Sequence, residues 1–185
     1  MLFFFIGMAV CLFCGELSAI ALELLSCDRQ FFSCNIAPFF EEVFKAFPIL
    51  IFVFVYKPER RMLYECSVMV GIGFAILENA FILGGMSEAV SLLDALMRGL
   101  GAGLMHGLCT LAVGYGMSFV HTKRKLFRTG TVAMLAVATV YHATYNTIVL
   151  SSHLWMGVLL PVLTLVPVLI LMDKTEKRRK AGKMK

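Results

Sequence analysis

Six apolar runs dominate this chain, each about 20 residues long and so able to cross a hydrocarbon core of ~30 Å as a helix rising ~1.5 Å per residue. They lie at Leu2–Leu25, Ile36–Tyr56, Leu63–Leu83, Gly99–Val120, Thr131–Leu150 and Leu154–Met172. With 59% hydrophobic and 16% charged residues in 185, a water-soluble domain is excluded. The fold class expected is all-α: a polytopic membrane bundle of about six transmembrane helices, one domain over residues 1–173 followed by a basic tail at 174–185.

The cationic residues give the bundle an orientation. Lys57, Arg60 and Arg61 fall between runs two and three, Lys123, Arg124, Lys125 and Arg128 between four and five, and seven more lie in the tail. Only Arg29 and Arg98 flank the other side, so both termini are expected in the cytoplasm. The net charge of +5 therefore reports topology and affinity for anionic lipid, and gives no support to nucleic-acid binding. The N-terminal run lacks a basic flank and is too long for a secretory signal core, so it reads as a retained helix.

Smaller features carry local expectations. Asn35 can cap the second helix with Pro38 in its first turn, and Pro48 leaves the Phe44 carbonyl without a donor and should kink it. Gly99, Gly103 and Gly107, four residues apart, suit close helix packing. Residues 84–98 read as an amphipathic helix lying on the outer surface. Cys11 and Cys14 read as small packing residues, as do Cys66 and Cys109, whereas Cys27 and Cys34 share a short outer loop and bridge if that side is oxidising.

Four polar clusters interrupt the apolar runs: Glu41-Glu42-x-x-Lys45, Phe74-x-x-x-Glu78-Asn79, His106, and His142-x-x-x-Asn146. An ionisable side chain in hydrocarbon costs about 2.5–3.5 kcal/mol even on the lenient insertion scale, so several of them together argue for a site. Counted inward from the outer boundary, Glu41, Glu42, Glu78, His106 and His142 all lie ~8–12 Å deep. His121 and His153 sit at boundaries and read as interfacial.

Each cluster alone has an ordinary explanation. Glu41 and Lys45 are an i,i+4 pair, and a histidine or asparagine can simply hydrogen-bond between helices. Jointly they do not balance: three glutamates against one lysine leave about −2, which hydrocarbon tolerates only with protons or a cation. Glu78, His106 and His142 supply the ligand set of a catalytic zinc with one open position. Glu16, at about the depth of Lys45, is expected to pair with it, and Glu23 to line an entrance.

These residues resemble the PrsW family of intramembrane proteases, within the wider group that includes the CAAX prenyl endopeptidases. The resemblance covers roughly Ile36–Leu150. Glu41-Glu42-Val43-Phe44-Lys45 is similar to the family's Glu-Glu-x-x-Lys motif, Phe74-Ala-Ile-Leu-Glu78 to its Phe-x-x-x-Glu motif, and His142-Ala-Thr-Tyr-Asn146 to its His-x-x-x-Asn motif, with His106 in the place of the remaining histidine. Lys45 and Glu78 depart from the CAAX pattern of Glu-Glu-x-x-x-Arg and Phe-x-x-x-His, which argues against a prenyl-peptide substrate. The resemblance implies a bacterial cell-membrane hydrolase that cuts a membrane-anchored protein near the outer side of the bilayer, such as an anti-sigma-factor-like regulator.

The expected mechanism follows. Glu78, His106 and His142 hold zinc, Glu42 or Glu41 moves the proton, Asn146 donates to the oxyanion, and Lys45 and Asn79 support. A metal-independent glutamate mechanism uses the same residues. From other classes, a proton-coupled transporter is opposed by the short chain without an inverted repeat, and a non-catalytic scaffold by the retained glutamates and histidines.

Overall fold

The computed structural model describes residues 1–85, 90–120, 123–151 and 155–183, which form seven helices and no strand. They are α1 (Leu2–Leu25), α2 (Arg29–Asn35), α3 (Ala37–Tyr56), α4 (Arg60–Gly84), α5 (Leu92–Met117), α6 (Arg124–Val149) and α7 (Met156–Lys183). Five of these, all but α2 and α3, are long and apolar enough to cross a membrane. The 20-residue α3 has the length but carries Glu41, Glu42 and Lys45 on its buried side. The chain is an all-α polytopic membrane protein.

Local chemistry sets the ends. Ser26 and Lys57 adopt left-handed backbone, at φ 47° and 48°, and so close α1 and α3; Pro58 then prevents α3 from continuing. The Asp28 carboxylate accepts from Phe31 N at 2.9 Å and starts α2. The segment between runs one and two is thus a short helix, and Asn35 is its last residue, donating back to the Phe31 carbonyl instead of capping α3. Pro38 does stand in the first turn of α3, and Pro48 lies within it.

The outer segment also differs from expectation. Ser91 Oγ accepts from Asp94 N at 3.1 Å, so Leu92–Arg98 begins α5 instead of forming a separate surface helix; residues 86–89, with His121 and His153, lie outside the described residues. The tail likewise continues α7 as helix to Lys183.

Helix α5 is the hub, packed against α4, α6 and α7, while α1 packs on α4. Close approach falls to glycines other than those expected. Gly99 and Gly103 face open space and Gly107 makes ordinary contacts, whereas a Cβ on Gly71 would collide with the His106 carbonyl and one on Gly101 would meet the Gly157 carbonyl at 2.8 Å. Gly7 and Gly73 play the same part between α1 and α4, against the carbonyls of Val70 and Phe4. All six cysteines are free thiols, Cys27 and Cys34 included.

Candidate active site

Helical spacing explains why the polar residues turn inward. On α3, Glu41, Glu42, Lys45, Ile49 and Val53 form one buried stripe, with Lys45 and Ile49 fully enclosed. On α5, Met105, His106, Cys109 and Val113 do the same, and on α6 the stripe is Ala138, His142 and Tyr145. Packing these three faces together brings residues 100 positions apart in the chain into contact.

Glu42 is the centre of the network. Its Oε1 accepts from Lys45 Nζ at 2.6 Å and pairs with His142 Nδ1 at 2.8 Å, so it joins α3 to α6. A carboxylate only accepts, so His142 carries a proton on Nδ1, and in its neutral form Nε2 holds a lone pair. Among the described residues that Nε2 has no hydrogen-bond partner; Glu41 Oε2, also without one there, is 3.7 Å away. Two buried acceptors facing each other require something positive between them.

Lys45 Nζ also lies 2.7 Å from His106 Nδ1 and 4.7 Å from the centre of the Phe74 ring. His106 Nε2 is 3.0 Å from Glu78 Oε2, so both nitrogens of this imidazole are engaged. The two imidazoles stand edge to face, 4.7 Å apart at 80°. Lys45 therefore pairs with Glu42 at i,i+3, not with Glu41 at i,i+4. Glu16 is exposed and does not reach it, so the expected Glu16–Lys45 pair does not form. Glu23 is exposed as well.

Among the described residues, one group of side chains has the composition and spacing of a metal centre. Glu41, His106 and His142 are all buried and each offers a ligand atom within 4.8 Å of the other two. Ligands ~2.0–2.2 Å from a tetrahedral zinc stand about 3.4 Å apart, close to the Glu41–His142 separation, and a one-carboxylate, two-imidazole set suits that ion. The orphaned Oε2 and Nε2 thus fit a divalent cation. The carboxylate in this group is Glu41, where the sequence reading had Glu78; Glu78 comes from α4 and binds His106, with its side chain 23% exposed.

Two expected residues have other surroundings. Asn146 Nδ2 donates to the Ser33 carbonyl at 2.9 Å, satisfying one of the last carbonyls of α2. Asn79 is buried and its Oδ1 has no partner among the described residues. Sequence reasoning missed Phe74 as a wall over the Lys45 ammonium, although its place in the Phe-x-x-x-Glu motif was visible. It also missed the Lys45–His106 contact, for which residues 61 apart carry no local signal.

No curated protein and no solved structure matches the chain. A family model does match, over residues 1–172, and so takes in α1 and most of α7 as well as the helices whose motifs carried the resemblance. That match spans nearly the whole chain, and the chain belongs to the PrsW family of intramembrane metalloproteases.

Proposed function

We propose that the chain is a zinc-dependent endopeptidase of the bacterial cell membrane that hydrolyses a peptide bond of a membrane-anchored protein, an anti-sigma-factor-like regulator for instance, near the outer side of the bilayer. The observation that carries this reading is the buried, unpartnered pair Glu41 Oε2 and His142 Nε2 beside His106. Glu41 and His142 would hold the ion, and His106, whose two nitrogens face Lys45 and Glu78, would join them by giving up one of those contacts. Bound zinc lowers the pKa of its water to about 7 and polarises the scissile carbonyl.

The remaining residues position and transfer protons. Glu42 holds the His142 ring with Nε2 turned toward Glu41, the part an outer carboxylate plays behind a ligand histidine. Glu78 is more open than Glu41 or Glu42. It takes the proton from the attacking water and returns it to the leaving amine. This assignment exchanges the sequence-based roles: Glu42 becomes a positioning residue and Glu78 the base. Asn146, engaged with Ser33, anchors α2. The excess of lysine and arginine on one side supports cytoplasmic termini, which puts this layer in the outer half.

The test is cleavage of a single-span reporter by purified protein in proteoliposomes. Wild type is expected to cut, with loss of cleavage in His142→Ala and Glu41→Gln and after treatment with a membrane-permeant zinc chelator, restored by added Zn2+. Undiminished cleavage in protein shown to be zinc-free overturns the metal reading and leaves the glutamate mechanism. Cleavage by His142→Ala at the wild-type rate overturns the site.

A further inference from the structure

Helices α4 and α5 pack closely along one part of their length and separate along the other. Ser67 of α4 faces Gly114 of α5, and Gly71 of α4 faces the His106 carbonyl and Thr110, each so near that a Cβ on the glycine would collide. On the same stripe of α5, a Cβ on Gly107 would still meet Val68 and Ile72 at 3.7 Å. One and two turns further along, a Cβ on Gly103 or Gly99 would meet nothing within 4 Å among the described residues. The helices therefore part beyond the Gly71–His106 contact, and a cleft opens between them toward the ends that residues 85–91 connect.

That cleft leads to the site. Gly99, Gly103 and His106 stand at i, i+4 and i+7 and so share a face of α5, and His106 Nε2 meets Glu78 Oε2 of α4 at 3.0 Å. On α4, Val68, Ile72 and Asn79 stand at i, i+4 and i+11, within about 40° of one another at about 100° per residue. Asn79 therefore belongs to the wall of the cleft, and it directly follows Glu78 in the chain. It is only 6% exposed, and its Oδ1 has no partner among the described residues. In the other direction the cleft runs into an apolar groove of about 370 Å³, with Gly103 and Gly107 in its floor and Ile72 and Leu165 in its walls.

We infer that this cleft admits the transmembrane helix of the substrate, and that Asn79 takes a peptide group of the segment that unwinds there. The inference deepens the protease reading and rests on it. Unwound backbone at membrane depth has lost its helical partners and is tolerated only where protein supplies others. The Asn79 amide is such a group, since its Oδ1 accepts from a peptide N–H and is left unpaired without one. Asn146, the other amide one turn from a site histidine, is already engaged with Ser33. Glycines let the backbone of a second helix come close, and the apolar groove suits the part of the span that stays helical. A lipid chain would also fill the cleft, but it has no N–H for Asn79.

The experiment measures kcat and KM for the single-span reporter in proteoliposomes, with Zn2+ content and Tm read on the same preparations. Gly99→Leu and Gly103→Leu narrow the cleft and are expected to raise KM at least about tenfold, with Zn2+ content and Tm as in wild type. Gly15→Leu, on α1 with equally open surroundings, should match wild type throughout. Asn79→Leu removes the amide at similar volume, so Tm should hold or rise while kcat falls about tenfold; a merely structural amide would not move the two apart. Wild-type kcat/KM in folded Gly99→Leu and Gly103→Leu, or an equal loss in Gly15→Leu, assigns the cleft to lipid and overturns the inference while leaving the protease reading intact. If neither leucine variant folds, wild-type kcat/KM in Gly103→Ala overturns it. Wild-type kcat in Asn79→Leu overturns the part given to Asn79. Wild type that does not cut the reporter overturns the protease reading and this inference together.

Discussion

Helices α5 and α7 are both apolar spans, yet half of α5's apolar window is buried inside the protein and only 11% of α7's is. Hydrophobicity does not make the difference. In lipid an apolar side chain gains little by leaving the bilayer, so association depends on close packing and on polar groups that need partners. Helix α5 has both, with Gly101 and Gly116 meeting neighbouring backbones and His106 between Lys45 and Glu78. Helix α7 presents Leu163, Leu169 and Leu171 outward, as a lipid-facing helix should. The least lipid-like side chains therefore mark the core of this protein.

Substitutions can break or sharpen that contrast. The largest effect is expected at the polar layer: Glu78→Gln should lower reporter cleavage by about 10²–10⁴, the range for removing a general base. Glu42→Gln should cost less, about 10–100-fold, with a matching loss of zinc affinity, because it acts through His142. Equal losses in the two variants would contradict the division of roles. Next come the glycines of α5. Gly116→Leu places a side chain against the Gly130 carbonyl, 2.7 Å from the new Cβ. It should destabilise by about 1–3 kcal/mol or more, read as a lowered Tm in detergent.

Gly103→Leu, with open space above it, should leave Tm nearly unchanged or raise it; a large drop would mean that the stripe packs as the sequence suggested. Asn146→Ala should cost about 1 kcal/mol through α2 and less than tenfold in cleavage. A loss of 10²–10³ there would restore its oxyanion role. The smallest effect belongs to α7: Leu163→Ala, 61% exposed, should shift stability by no more than about 0.5 kcal/mol.

Much of the site was legible because the bilayer makes polar residues expensive. Glu41, Glu42, Lys45, Glu78, His106 and His142 stand out from apolar surroundings. Pairing was not legible. Glu41 and Glu42 are adjacent in sequence and point about 100° apart on a helix, and Lys45 of the same helix can reach either, so side-chain conformation decides which one it meets and the rotation of α3 against α6 decides which one meets each nitrogen of His142. Glycines misled for a similar reason: four-residue spacing on α5 describes a face, but the neighbour that covers it lies on another helix. The α2 helix was overlooked because seven residues carry too little periodicity.

By itself the sequence determined that the chain is helical and crosses a membrane, and which residues do not belong in lipid. Those properties follow from local composition and a fixed rise per residue. The tertiary structure alone decided that Glu42 serves both Lys45 and His142, that Glu41 lies beside the two histidines, and that Lys45 Nζ sits between Glu42 and His106. Such assignments depend on the rotation and spacing of α3, α4, α5 and α6 to within an ångström, which is set by side chains meeting across helices.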